Sequence, residues 1–252
     1  MKRILYLLSC TICITFSWDI NADAQNRLFF VPDPTTAHWS YHETAPDGTL
    51  VATMFHSVDT MTGDAVNGSV KLKITRVGIQ SPADTLNSFM YYKFKDGECM
   101  VDMNAFFEGD ALSSLMNAAA ENEGREGSED EKKKAIDEIR KHIEISGEVR
   151  GIPRYPVVGD LPDYEFTFKI FFMNMSIKGT QRKICGNEKL VTPAGAFDCF
   201  ILEETITSKA MLQKDVEKRV SWYAYGIGLV KENTFDKKGN LISTTVLNSI
   251  NW

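Results

Sequence analysis

Acid–base and metal chemistry need His, Cys, Asp or Glu held together, and this chain groups them in few places. His38 and His42 stand four apart with Glu43 beside them, and His56 follows on the next apolar stretch. On a helix His38 and His42 would share a face and could hold a metal ion. But Pro32, Pro34 and Pro46 surround them and the stretch reads as extended. There, residues four apart also share a face but stand ~13 Å apart. Surface histidines near a chain terminus are the plainer reading, and no metal ligand is assigned. Glu203-Glu204 and Asp160/Asp163 are the carboxylate pairs that could work on a glycoside. Neighbours on a strand point to opposite faces, so Glu203 and Glu204 cannot act together without a bulge. Asp160 and Asp163 flank Pro162 in a turn. No Gly-x-Ser-x-Gly, His-Glu-x-x-His or supported Ser-x-x-Lys occurs. No catalytic residue and no cofactor is expected.

The chain has five cysteines, Cys10, Cys13, Cys99, Cys185 and Cys199. The first two fall in an N-terminal segment with a basic start (Lys2, Arg3), an apolar run from Ile4 to Trp18 and a small-x-small site at Ala22-Asp23-Ala24. That is the layout of a signal peptide, so residues 1–24 are expected to be removed after Ala24. The mature protein would then begin at Gln25 in the periplasm or outside the cell. Leu7-Leu8-Ser9-Cys10 is a rival lipoprotein box, but too few apolar residues precede Cys10. Membrane attachment would follow only from lipidation of Cys10. The apolar run is also shorter than the ~20 residues that span a bilayer. In an oxidising compartment the remaining three cysteines suggest one disulfide and one buried thiol. Cys185 with Cys199 is the candidate pair from closeness in sequence, although a hairpin at Pro193-Ala194-Gly195 would set Cys199 opposite Leu190.

The elements that must position these side chains are mostly strands. Residues 25–252 are expected to form one β-rich domain. Asp47-Gly48, Asn67-Gly68 and Asp96-Gly97 are hairpin signals. They divide strands at Thr49–Val58, Val70–Ile79, Phe89–Phe94 and Cys99–Phe107. A helical insertion follows over about 110–143. Asp110 could cap its first helix, and Ser128-Glu129-Asp130-Glu131 is a capping box for the second. Ile136, Ile139 and Ile143 form a narrow apolar stripe that suits docking on the protein's own sheet. Strands then resume at Tyr164–Ile177, Glu188–Thr192 and Phe197–Ser208. An aromatic-rich strand, Lys218–Lys231, is interrupted by Gly226 and Gly228, and Leu241–Ile250 is last. The expected architecture is a curved antiparallel sheet, a sandwich or a partly closed barrel, with one inserted helical hairpin.

Trp222, Tyr223 and Tyr225 are the candidate ligand-binding residues, because aromatic walls suit sugars and lipids. Alternation sets Tyr223 and Tyr225 on one face and Trp222 on the other, so core packing takes at least one side. Gly226-x-Gly228 is no nucleotide fingerprint, since the third glycine and a following helix are missing. The net charge of −6 gives no reason to bind nucleic acid. Asp59-Thr60-Met61 and Asp84-Thr85-Leu86 have the Asp-Thr-apolar form of an O-glycosylation acceptor.

Three ordered segments carry a family resemblance: Tyr155-Pro156-Val157-Val158-Gly159-Asp160-Leu161-Pro162-Asp163, Val191-Thr192-Pro193-Ala194-Gly195-Ala196-Phe197-Asp198-Cys199, and Trp222-Tyr223-Ala224-Tyr225-Gly226-Ile227-Gly228-Leu229-Val230-Lys231. Together they resemble the TapB-like group of exported bacterial proteins, a domain of unknown function in Gram-negative gut anaerobes. The resemblance covers roughly residues 145–250 and implies an exported β-rich domain, with no catalytic residue to carry over. The expected function is non-enzymatic binding of an apolar or carbohydrate-like ligand, or of a cell-envelope partner. The alternative is a glycan-directed hydrolase whose carboxylates are brought together only by the fold.

Overall fold

Val70-Lys71-Leu72-Lys73-Ile74 alternates as a strand with one wet face should, and it folds as one: Val70, Leu72 and Ile74 are buried while Lys73 is exposed. The same period shapes most of the chain. The computed structural model describes residues 36–64, 66–79, 85–96, 98–108, 128–153, 155–170, 173–210 and 213–252. The N-terminal segment with its cleavage site, and the first expected helix from Asp110, lie outside the described residues.

Five strands precede the helices: β1 (His38–Thr44), β2 (Leu50–Gly63), β3 (Gly68–Gly78), β4 (Leu86–Lys95) and β5 (Glu98–Val101). Helix α1 (Met103–Glu108) and helix α2 (Glu129–Lys141) follow. The chain then returns to strands: β6 (Ile143–Gly147), β7 (Val149–Pro153), β8 (Gly159–Asp160), β9 (Tyr164–Ile170), β10 (Met173–Thr192), β11 (Gly195–Ala210), β12 (Gln213–Ala224), β13 (Gly228–Asp236) and β14 (Leu241–Asn251). They make one antiparallel sheet in the order β6-β9-β10-β11-β12-β13-β14-β1-β2-β3-β4-β5-β7, with β8 on β10. The two ends of that order, β6 and β7, are separated in sequence only by Glu148. The segment Ile143–Gly147 pairs with β9, and Val149–Pro153 pairs with β5. One stretch of chain thus bridges the seam, and the sheet nearly closes into a barrel. Gly147 sits at the crossing with φ +78, where a Cβ would collide with the Glu165 carbonyl oxygen. Only glycine fits that turn.

The concave face holds the core. Trp39, Tyr41, Leu72, Met90, Tyr92, Val149, Phe166, Ile184, Phe200, Leu202, Tyr223 and Leu247 reach it from almost every strand. Helix α1 inserts Phe107 between Phe166 and Phe168, with ring centroids 6.4 and 4.8 Å away. The expected strand from Cys99 to Phe107 therefore ends at Val101. Asp102 accepts from the Ala105 amide and starts this helix instead. Helix α2 has its capping box, with reciprocal bonds between Ser128 and Glu131. Its stripe docks on the sheet through buried Ile136 and half-buried Ile139, while Ile143 belongs to β6. No helix among the described residues is long and apolar enough to cross a membrane.

Two further boundaries differ from expectation. Tyr164–Ile177 is two strands, β9 ending at Ile170 and β10 starting at Met173. Lys218–Lys231 is also two strands. Tyr225-Gly226-Ile227 is the turn between β12 and β13, closed by the Ile227 amide donating to the Ala224 carbonyl at 3.2 Å. Gly226 takes φ +65 there, which makes the glycine a turn signal and not a bulge inside one strand.

Candidate functional site

The outer face of β14-β1-β2-β3 carries a groove of about 300 Å³. Pairing register explains its composition. Ser40 lies opposite Phe55 and Ser249, and Phe55 lies opposite Thr75. One row on, His38 faces Ser57 and Asn251, and Ser57 faces Lys73. Because each row projects outward, four strands deliver hydroxyl, amide, imidazole and ammonium groups to one depression. Phe55, 51% exposed, stands among them as a bare aromatic platform. Ser40, buried at the floor, shares a 2.8 Å hydrogen bond with the Ser249 hydroxyl and accepts one from Asn248 Nδ2 at 3.3 Å. No carboxylate among the described residues lines the groove.

His56 belongs to the other face. It pairs with Trp39 across β1 and β2, and its ring lies 5.6 Å from Trp39 and 5.0 Å from Tyr41, centroid to centroid. The residue is half-buried, but its Nε2 is enclosed with no hydrogen-bond partner among the described residues. Desolvation pushes its pKa down to about 3. His38 and His42 project outward from β1, so His56 cannot complete a metal site with them. No group of three His, Cys, Asp or Glu side chains able to hold a metal gathers among the described residues.

The barrel interior contains charge as well as apolar core. Arg182 of β10 donates from Nε to Glu204 Oε2 of β11 at 3.1 Å, with both side chains almost fully enclosed. Arg219 of β12 donates to Glu217 at 2.9 Å, and the Ser221 hydroxyl donates to Glu232 at 3.0 Å. The other two donor arms of Arg182 reach the carbonyls of Pro162 at 2.8 Å and Gly151 at 2.5 Å. Its guanidinium also lies 5.0 Å from the centre of the Tyr164 ring. One side chain therefore ties β10 and β11 to β7 beside the seam. These carboxylates serve the framework, each held by an arginine or a hydroxyl.

The aromatic candidates are dispersed. Tyr223 is fully buried and stacked on Phe200 at 5.9 Å, so it is core and cannot meet a ligand. Trp222 is half-buried on the outer face, donating from Nε1 to Glu188 at 2.8 Å under the Lys231 ammonium at 4.9 Å. Tyr225 is half-buried in the β12–β13 turn and packs against the core. Glu203 and Glu204 face opposite ways as alternation demands, Glu203 pairing with Lys218 at 2.7 Å. Asp160 and Asp163 are both exposed.

The expected disulfide is not formed: Cys99, Cys185 and Cys199 are free thiols. The β10–β11 register places Cys199 opposite Glu188, not Leu190, three residues along the strand from Cys185. Cys185 is exposed, whereas Cys199 packs with Ala224 and Val230 in a small outer cluster. Burial pushes the Cys199 thiol up to about 12, with Asp198 and Glu188 adding to the effect, and burial also raises Cys99.

The fold and its groove define a class, a nearly closed antiparallel β-barrel with a polar, aromatic-centred outer depression. Residues 159–247 match the family model described as DUF3108-like, a domain of unknown function. The match falls within the stretch that resembles the TapB-like group, under a different family description. Two solved structures share the fold. One is a candidate lipoprotein from Parabacteroides distasonis, 18% identical, with a TM-score of 0.61 over 90% of this chain and 100% of the other. The second is a candidate exported protein with a YmcC-like fold from Bacteroides fragilis, also 18% identical, with a TM-score of 0.60 over 89% and 100%. No curated protein matches the sequence.

Nothing in the linear sequence groups Phe55, Ser40, Ser57, Lys73, Thr75, Ser249 and Asn251. A phenylalanine at an outward position of an alternating strand was the available signal for Phe55. The others are ordinary wet-face residues until register brings four strands together.

Proposed function

We propose that this chain is an exported, non-catalytic domain that binds a carbohydrate-like ligand in the outer groove of β14-β1-β2-β3. The observation that carries the reading is the half-exposed Phe55 surrounded by the hydroxyls of Ser40, Ser57, Thr75 and Ser249 and the amide of Asn251. A sugar presents an apolar ring face and a rim of hydroxyls, and that pairing matches both parts of the groove. Export is supported by the N-terminal signal-like segment and by the exported and lipoprotein descriptions of the two proteins that share the fold. The TapB-like affiliation belongs to the same proposal, supported by the Val191–Cys199 and Trp222–Lys231 segments.

A second reading, an envelope partner, is favoured by one feature. Tyr155, Val157 and Val158 are 61%, 69% and 61% exposed in the loop between β7 and β8, apart from the groove. A glycoside hydrolase would need two carboxyl groups about 5–9 Å apart in a cleft, and none among the described residues lines the groove.

Titration with oligosaccharides followed by amide NMR tests the proposal. The expected result is saturable shifts confined to residues of β14, β1, β2 and β3, lost in Phe55→Ala. Saturable shifts clustered on the 155–158 loop with an envelope protein, and none with any saccharide, would replace it with the partner reading.

A further inference from the structure

We infer that the groove is built for an anionic saccharide, one bearing a carboxylate or an ester-linked anion; this rests on the saccharide reading above. The protein carries −6 overall, yet among the described residues the groove is lined by Lys73, by His38 and His56, and by no acidic side chain. Lys73 is exposed on the outer face of β3, opposite Ser57 on β2 and Phe89 on β4. It makes no ion pair among the described residues.

Its neighbour two residues away is treated differently. Lys71 is neutralised by Asp59 at 3.0 Å and rests its ammonium 4.2 Å from the centre of the Phe89 ring. Lys71 therefore has its counter-charge, while Lys73 is left for a ligand. An ammonium beside hydroxyl and amide donors forms charge-assisted hydrogen bonds to an anion and leaves the aromatic platform for the ring face. Phe55 and Lys73 sit on adjacent strands two residues apart in register, roughly 8 Å from one another by strand geometry. A single sugar unit or a pair can span that distance, so platform and cation can be engaged by one short ligand.

The experiment uses the mature protein, Lys73→Gln and Phe55→Ala. The probes are tetragalacturonic acid and a sulfated disaccharide, each beside its uncharged counterpart (the methyl ester, or the unsulfated sugar). The counterparts keep the hydroxyls and ring faces. Calorimetry at two salt concentrations gives the affinities, and amide NMR reports the location. The expected result is that at least one acid binds about three- to tenfold more tightly than its neutral counterpart, as a partly exposed ion pair allows. That preference should shrink in higher salt. Lys73→Gln should abolish the preference while neutral binding persists, and Phe55→Ala should weaken both forms. Equal binding of charged and neutral forms would overturn the anion inference and leave the saccharide reading standing. No groove shift with either form of either probe would overturn both.

Discussion

Replacing Arg182 by Met should be among the most damaging single changes in this protein. Arg182 and Glu204 are 2% and 6% exposed at their side chains and meet at 3.1 Å. Without the guanidinium, Glu204 keeps its desolvation but loses that partner, a situation that costs about 3–5 kcal/mol. The carbonyls of Gly151 and Pro162 lose donors as well, which places the expected value in the upper half of that range. Set against a total stability of about 5–15 kcal/mol, this is about a quarter or more of what holds the fold together. Because Gly151 lies in β7, the damage should concentrate at the seam. Urea unfolding followed by tryptophan fluorescence gives the change from midpoint and slope. The double variant Arg182→Met with Glu204→Met should regain most of the loss, since no buried charge is then left alone. Arg182→Lys should fall between, keeping the charge but losing the fork that reaches three acceptors. A single variant within about 1 kcal/mol of wild type, or a double variant no better than the single, would refute the reasoning.

Acid should destabilise the protein partly through His56. Its folded pKa of about 3 lies below the ordinary 6.5, so between those values the unfolded chain holds a proton the folded chain refuses. The contribution is therefore full above about pH 6.5 and is lost as pH falls toward 3, at most about 1.4 kcal/mol per pH unit. His56→Phe should flatten the difference in that window on comparing unfolding curves; identical pH dependence in the two proteins would contradict it. Thiol labelling under native conditions should modify Cys185 alone, with Cys99 and Cys199 reacting only in denaturant. Fast native labelling of Cys199 would mean that its cluster is open. Ser128→Ala removes the capping box of helix α2 and should cost about 1 kcal/mol, read from the same urea curves. A loss near zero would show that docking of Ile136 alone fixes that helix.

Local rules fixed by short-range chemistry were legible in the chain. The alternation of Val70–Ile74, the hairpin at Pro193-Ala194 and the reciprocal caps of Ser128 and Glu131 each depend on residues a few positions apart, and each formed. Boundaries failed where a local signal had two uses. Gly226 and Gly228 serve a bulge or a turn equally well by conformational freedom, and the extended stretch after Cys99 gave way to a helix once Asp102 capped it and Phe107 found Phe166 and Phe168.

The sequence by itself determined a β-rich antiparallel fold, the faces on which Glu203, Glu204 and Tyr223 would lie, and the absence of any recognised catalytic motif. Only tertiary structure decided the pairing order of the strands, because register is set by long-range contacts between segments as distant as His38 and Asn251. Barrel closure through Gly147, the ionic ties of Arg182 and the groove around Phe55 all follow from that order. A serine, a lysine and an asparagine on separate strands have no common meaning until the sheet lays them side by side.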